Sequence, residues 1–157
     1  MKRGDIIEVT ITDYAFGGKG IAKVMTSINN EEVLYPIFVD NTFPGQTVKA
    51  RIAKKRKKYA ECKLIEVVEK SPKEVDVPYQ PISGAPYITL PIELQHKYKQ
   101  SSTIDIYRKL GNFYNSEELF EEFISSPNIF DYRNKMEYSF STIRKELSTG
   151  EELDDQF

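Results

Sequence analysis

The chain has no tryptophan, one histidine and one cysteine in 157 residues. A lone cysteine, Cys62, closes no disulfide within the chain, and no cluster of Cys and His has metal-ligand spacing, which argues against redox and zinc roles. No apolar run approaches the roughly 20 residues that cross a bilayer as a helix, and the opening MKRGDIIEV lacks the apolar stretch of a signal peptide. The expected setting is therefore the cytoplasm. Apolar and charged fractions of 39% and 29% are those of a folded soluble protein, here expected to be a monomer.

A net charge of −2 conceals an uneven distribution. Residues 1–70 carry 13 Lys and Arg against 9 Asp and Glu, whereas residues 71–157 carry 9 against 15. The basic half is the candidate for a polyanion partner. Its charge is concentrated in Lys49, Arg51, Lys54, Lys55, Arg56, Lys57 and Lys58, and a polyanion responds to a local patch more than to the whole-chain sum.

Alternation of Ile7, Val9 and Ile11 with Glu8, Thr10 and Thr12 predicts a half-buried strand. Gly17, Gly18 and Gly20 break it; further strands are predicted over 21–25, 33–39, 48–53 and 60–68, separated by Asn, Pro and Gly turns. Five short strands in so few residues predict a small antiparallel barrel of the OB type over residues 1–70. Repulsion along Lys54–Lys58 keeps that run out of a core and sends it to a hairpin tip or barrel rim. Cys62 shares its strand parity with Ala60 and Leu64, which predicts a small buried thiol.

Prolines at 72, 78, 81, 86 and 91 mark residues 71–91 as a linker with an ordered loop. Leu94, Tyr98, Ile104, Tyr107 and Leu110 have helical spacing, with Gly111 as a stop. Asn115 with Glu118 resembles a capping box and predicts a second short helix, its apolar face Leu119, Phe120, Phe123 and Ile124, its wet face Glu117, Glu118, Glu121 and Glu122, ending at Pro127. His96 is expected to be exposed and without a partner. Met136, Tyr138 and Phe140 alternate with polar residues, so 132–143 reads as a strand that lacks a visible mate, and 92–157 as an incomplete α+β region.

Two aromatic residues flank the basic signals. Tyr59 follows the run directly, and Phe16 sits in the FGGKG turn between Tyr14 and Lys19. Rings beside cations are the combination expected of a single-stranded RNA site, so Phe16, Lys19, Lys23, Arg51, Lys54, Lys55, Arg56, Lys57, Lys58 and Tyr59 are the candidate RNA-binding residues. A solvated hairpin and a plain tight turn are the alternatives. No helix follows the glycines, so a nucleotide-cofactor fingerprint is excluded.

Three stretches, DYAFGGKGIAK, PGQTVKARIAKKRKKYAECKLIEV and FDYRNKMEYSFS, resemble in order the beginning of the RNA 5-methyluridine (uracil-C5) methyltransferase family, which carries a TRAM domain at its N-terminus. The resemblance implies RNA binding by the barrel and a role for Arg133 and Lys135, on the strand of the third stretch, in holding RNA; a structural salt bridge is the rival for that pair. It further implies S-adenosylmethionine as methyl donor in a Rossmann-like domain, a Cys that adds to the uracil ring, and a tRNA or rRNA substrate. None of those catalytic residues is in this sequence, so the resemblance makes it a front fragment, inactive alone and without catalytic, cofactor or metal residues. Many members hold an iron–sulfur cluster where this chain has Ile82, Ser83, Gly84, Ala85 and Pro86; without thiolates no cluster is expected. A stand-alone TRAM-domain RNA-binding adaptor is the other function to weigh.

Overall fold

The computed structural model describes residues 1–28, 31–77 and 85–130, and beyond them only 135, 137, 144–145 and 152–153. Strands β1 (Ile6–Thr10), β2 (Asp13–Ala15), β3 (Lys19–Ile28), β4 (Glu31–Asp40), β5 (Thr47–Lys55) and β6 (Ala60–Glu69) form one six-stranded sheet in the order β1-β5-β6-β4-β3-β2. The two ends of that order are one extended run with a bend. At the bend the Ile11 amide donates to the Gln46 carbonyl at 2.8 Å, beside β5, and the Thr12 amide donates to the Ile21 carbonyl of β3 at 2.9 Å. The same run thus borders the sheet on both sides and closes it into an OB-like barrel.

Closure explains the one departure from an all-antiparallel barrel. With β1 and β2 counted as one, five runs ring the barrel, and an odd ring cannot alternate direction at every step. The parallel step falls between β4 and β6, where Ile37 faces Ala60 and Val39 faces Cys62, while every other pairing in the sheet is antiparallel.

The core follows from period-two alternation. Val9 and Ile11, Ala22, Tyr35, Ile37 and Val39, Val48, Ala50 and Ile52, and Ala60 and Cys62 point inward and pack as one cluster, with Ile7, Val24 and Leu64 at its margin. Gly20 is inside because nothing larger fits: a Cβ there would lie 2.3 Å from Thr42 Oγ1 and 2.6 Å from Ile11 Cγ2. After β6 the chain turns back onto the β4–β5 connection. Glu74 Oε1 accepts from the Ser71 amide at 2.8 Å and from Gln46 Nε2 at 3.0 Å, and Ser71 Oγ donates to the Pro44 carbonyl at 3.0 Å.

Helix α1 (Ile92–Leu110) starts after Pro91 and stops at Gly111, as the spacing predicts. Its docking uses aromatic rings: Tyr98 stacks on Tyr14 of β2 with centroids 5.4 Å apart, and Tyr87, in the turn before the helix, meets Tyr14 and Phe43 edge-on. Gln95 Nε2 fastens the helix to that turn by donating to the Tyr87 and Leu90 carbonyls.

The second helix is absent. Residues 114–119 make turns and 120–126 have no regular structure. The cause is physical: a segment this short does not nucleate on its own, and Leu119 and Ile124 of its supposed apolar face are exposed. Glu117 consequently serves Arg108 as an ion-pair partner instead of lining a helix. His96 is half-buried, and its ring lies 4.7 Å from that of Phe123, so the expectation of a partnerless histidine is also corrected. The strand expected over 132–143 lies outside the described residues except for Lys135 and Glu137. Beyond it, β7 (Arg144–Lys145) and β8 (Glu152–Leu153) pair antiparallel. No described helix is long and apolar enough to cross a membrane.

Gly20→Ala tests the packing account. The added methyl should lower stability by about 1–3 kcal/mol, read as a shift of the urea midpoint, and an unchanged midpoint would mean that the barrel interior is looser than the contacts at Thr42 and Ile11 require.

Candidate nucleic-acid interface

The outward parity of β5, β6, β4 and β3 makes one continuous face, and the register orders its side chains in rows. Arg51 faces Lys63, Lys63 reaches Asp40, and Asp40 faces Lys19, one residue from each of four strands. The next row runs Lys54, Glu61, Phe38, Ile21. A third brings Lys23 opposite Pro36, and Tyr59 meets Phe38 edge-on at 5.6 Å and 88°. Phe38 and Lys63 were not among the expected site residues, although their parity, outward between inward Ile37, Val39 and Cys62, carries the signal.

Two carboxylates on this face pair with three of its five cations. Asp40 takes Lys63 at 2.5 Å and Lys19 at 3.4 Å; Glu61 takes Lys19 at 3.7 Å and Lys54 at 3.9 Å. Burial works to raise the Asp40 carboxyl, but the Lys63 hydrogen bond and the charges of Lys63 and Lys19 outweigh it and hold the group below the usual carboxylate range. That contribution to stability is present above the ordinary carboxylate pKa and is lost as pH falls through the lowered one.

The β5–β6 hairpin carries Lys54, Lys55, Arg56, Lys57 and Lys58 to an exposed tip, as charge repulsion demands. Lys55 leaves the face to donate to the Met1 carbonyl at 2.7 Å. What fixes the tip is the buried Tyr35 of β4, whose hydroxyl is shared between the carbonyls of Arg56 at 2.6 Å and Tyr59 at 2.5 Å. The Arg56 amide closes the turn onto the Tyr59 carbonyl at 2.8 Å.

Phe16 stands apart from Tyr59. Tyr59 adjoins the register of Pro36 and Lys19 faces Asp40, about four residues of strand or roughly 13 Å further along, and Phe16 lies in the turn beyond Lys19. The two rings occupy opposite ends of one face, not adjoining positions. Gly17 and Gly18 have φ of +84° and +82°, and a Cβ on Gly18 would lie 2.5 Å from the Tyr87 hydroxyl. At Gly18 the close backbone approach is thus made to the protein's own Tyr87, whereas a Cβ on Gly17 would meet nothing within 4 Å. Lys135 pairs with Glu137 at 2.8 Å on an exposed segment, and Arg133 lies outside the described residues. Among the described residues, no group of three or more His, Cys, Asp or Glu could hold a metal ion.

A closed five-run barrel with a cationic outer face and rings set within it has the form of an OB-like nucleic-acid-binding module. Comparison agrees: residues 1–65 match the TRAM domain family. The chain is also 32% identical over 91% of its length to a protein of Chlorobaculum tepidum named as an uncharacterized RNA methyltransferase. Proteins of the same name in Caldanaerobacter subterraneus and Clostridium tetani are 34% and 32% identical over 92% and 96% of the chain. The chain spans 29–32% of the length of these three curated relatives. It carries a TRAM domain and is consistent with an N-terminal part of the RNA methyltransferase family.

Two measurements follow from the site. Tyr35→Phe leaves the Arg56 carbonyl without its donor and the Tyr59 carbonyl with the Arg56 amide alone, and should cost about 1–2 kcal/mol in urea unfolding; no loss would mean that the hairpin tip is held by other contacts. Burial pushes the Cys62 thiol from 9.0 up to about 11, the charge of Asp40 acting the same way, and burial raises Tyr35 and Tyr87 as well. The unfolded chain therefore sheds protons first, and stability should fall as pH rises above about 9. Cys62→Ala should flatten that decline between about pH 9 and pH 11, measured as the pH dependence of the unfolding midpoint; an equally steep decline without the thiol would assign it elsewhere.

Proposed function

We propose that this chain is the RNA-binding part of an S-adenosylmethionine-dependent RNA methyltransferase that modifies C5 of a uridine in tRNA or rRNA in the cytoplasm. The observation that carries the reading is the outer face of β3–β6, where Lys19, Lys23, Arg51, Lys54 and Lys63 surround the Phe38–Tyr59 pair and the Lys54–Lys58 tip projects beside them. Phosphates meet the cations, and unstacked bases meet the rings. The lysines on Asp40 and Glu61 are already oriented along the face. The carboxylates are half-buried but Lys54 and Lys63 are exposed, so phosphate oxygens approaching from solvent can reach these lysines and replace the carboxylates as partners.

S-adenosylmethionine would supply the methyl group. The FGGKG turn does not fit that cofactor: it joins two antiparallel strands, Gly18 is packed against Tyr87, and Gly20 is enclosed by Thr42 and Ile11. The reading therefore assigns cofactor and chemistry to the portion of the relatives that this chain does not span, and leaves the barrel the task of gripping RNA.

Binding to a labelled single-stranded RNA should weaken steeply with salt. Replacing Lys57 and Lys58 together by Ala should reduce the slope of log affinity against log salt by up to about 1.4, since each phosphate contact on a single strand contributes roughly 0.7. A slope identical to that of the unmodified chain would remove the hairpin tip from the interface.

A further inference from the structure

We infer that the cavity between the Gly17–Gly18 turn and α1 receives one unstacked nucleobase of an RNA strand lying along the outer face, an inference that rests on the RNA-binding reading above. The cavity has a volume of about 550 Å³, enough for a base with its ribose and within the range of small-ligand pockets, roughly 300–1,000 Å³. Its lining combines two chemistries. Phe16 and Phe123 offer ring faces, and Asn41 and Lys99 offer an amide and an amine. A lipid chain would have no use for the amide and amine, and a free phosphate none for the rings; a nucleobase has a π face for stacking, a donor–acceptor edge for an amide, and an attached phosphate for an amine.

Three features favour a ligand at this place. Phe16 is 62% exposed and lies outside the core cluster, so its ring is accessible to a stacking partner. Asn41 adopts φ of +58°, its amide N–H donating to the Gly18 carbonyl at 3.2 Å, and this holds its side chain at the cavity wall. Among the described residues neither the Asn41 side-chain amide nor the Lys99 amine has a polar partner. Position supplies the last step. Gly18 precedes Lys19 and Asn41 follows Asp40, so the cavity adjoins the end of the charged row that runs from Arg51 through Lys63 and Asp40 to Lys19. A strand that crosses the face from Tyr59 towards Lys19 arrives at the cavity next.

The experiment pairs protein variants with RNA lacking single bases. A short labelled single-stranded RNA, and a set of versions each abasic at one position, are titrated at low salt with the full chain and with Phe16→Ala and Asn41→Gly. Glycine keeps the backbone angle of position 41 and Phe16 is outside the core, so both variants should fold, which their unfolding midpoints check. Phe16→Ala should weaken binding of the intact RNA by about 5- to 100-fold, and Asn41→Gly by a smaller factor. One abasic position should weaken binding to the unmodified chain to a similar extent and make no further difference to Phe16→Ala. If both variants bind as tightly as the unmodified chain while the Lys57 and Lys58 replacements weaken binding, the cavity plays no part and the RNA-binding reading stands. If the variants bind less well but abasic losses remain fully additive at every position, no base occupies the cavity and the inference falls. If the unmodified chain binds no RNA, both readings fall together.

Discussion

Closing a sheet with an odd number of runs is the constraint from which the interface follows. Because β1 and β2 are a single bent run, five directions circle the barrel and one neighbouring pair has to be parallel. Placing that step between β4 and β6 sets the β5–β6 hairpin against β4. Lys63 then falls beside Asp40, Glu61 beside Phe38, and the hairpin tip within reach of the Tyr35 hydroxyl. The exposed cations are tied in this way to the most buried part of the molecule, since Tyr35 presents its ring to the core and its hydroxyl to the carbonyls of the tip. A flexible basic loop could attract RNA; a loop anchored through the core presents its charges at fixed positions.

The arrangement of charge serves the same end. Lysines crowded on one face repel each other and would spread into solvent, losing definition. Asp40 and Glu61, each shared between two lysines, hold three of them in place while leaving an excess of positive charge. Beyond the stability that the Asp40 pairs contribute, these contacts fix where the ammonium groups lie. Positioning before contact lowers the ordering cost of binding.

The barrel was legible in the sequence because its strands are half-buried, and a half-buried strand writes its two faces as alternation. The same alternation contained Phe38 and Lys63, which escaped notice because neither belongs to a run of like residues; a single Phe on the outward parity of β4 is a quieter signal than KKRKK. Gly18 makes room for Tyr87, a contact between residues about 70 positions apart that local sequence does not encode. For Phe16 and Tyr59, sequence identified rings beside cations but not their separation, which depends on where the Gly turn and the basic hairpin stand on the shared register. The capping pattern at Asn115 was real as a local preference and produced only turns.

That failure marks a difference between the two parts of the chain. Residues 1–65 bury a continuous cluster of their own, so each strand preference is reinforced by a neighbour. Among the described residues from 92 to 130 only Ser102 and Ser116 are buried, and large side chains such as Leu110, Tyr114 and Ile124 face outward. Helix α1 persists because it is long and because Tyr98 and Gln95 fix it to rings and carbonyls at the barrel's edge. The segment after it is short and leaves Leu119 and Ile124 exposed, and helix propensity with so little burial does not outweigh the entropy of ordering. The second part thus takes its order from the first, and the contact that transmits it, Tyr14 against Tyr98 and Tyr87, forms beside the cavity at the end of the cationic face. Anything bound there would bear on the docking of α1 as well as on the barrel.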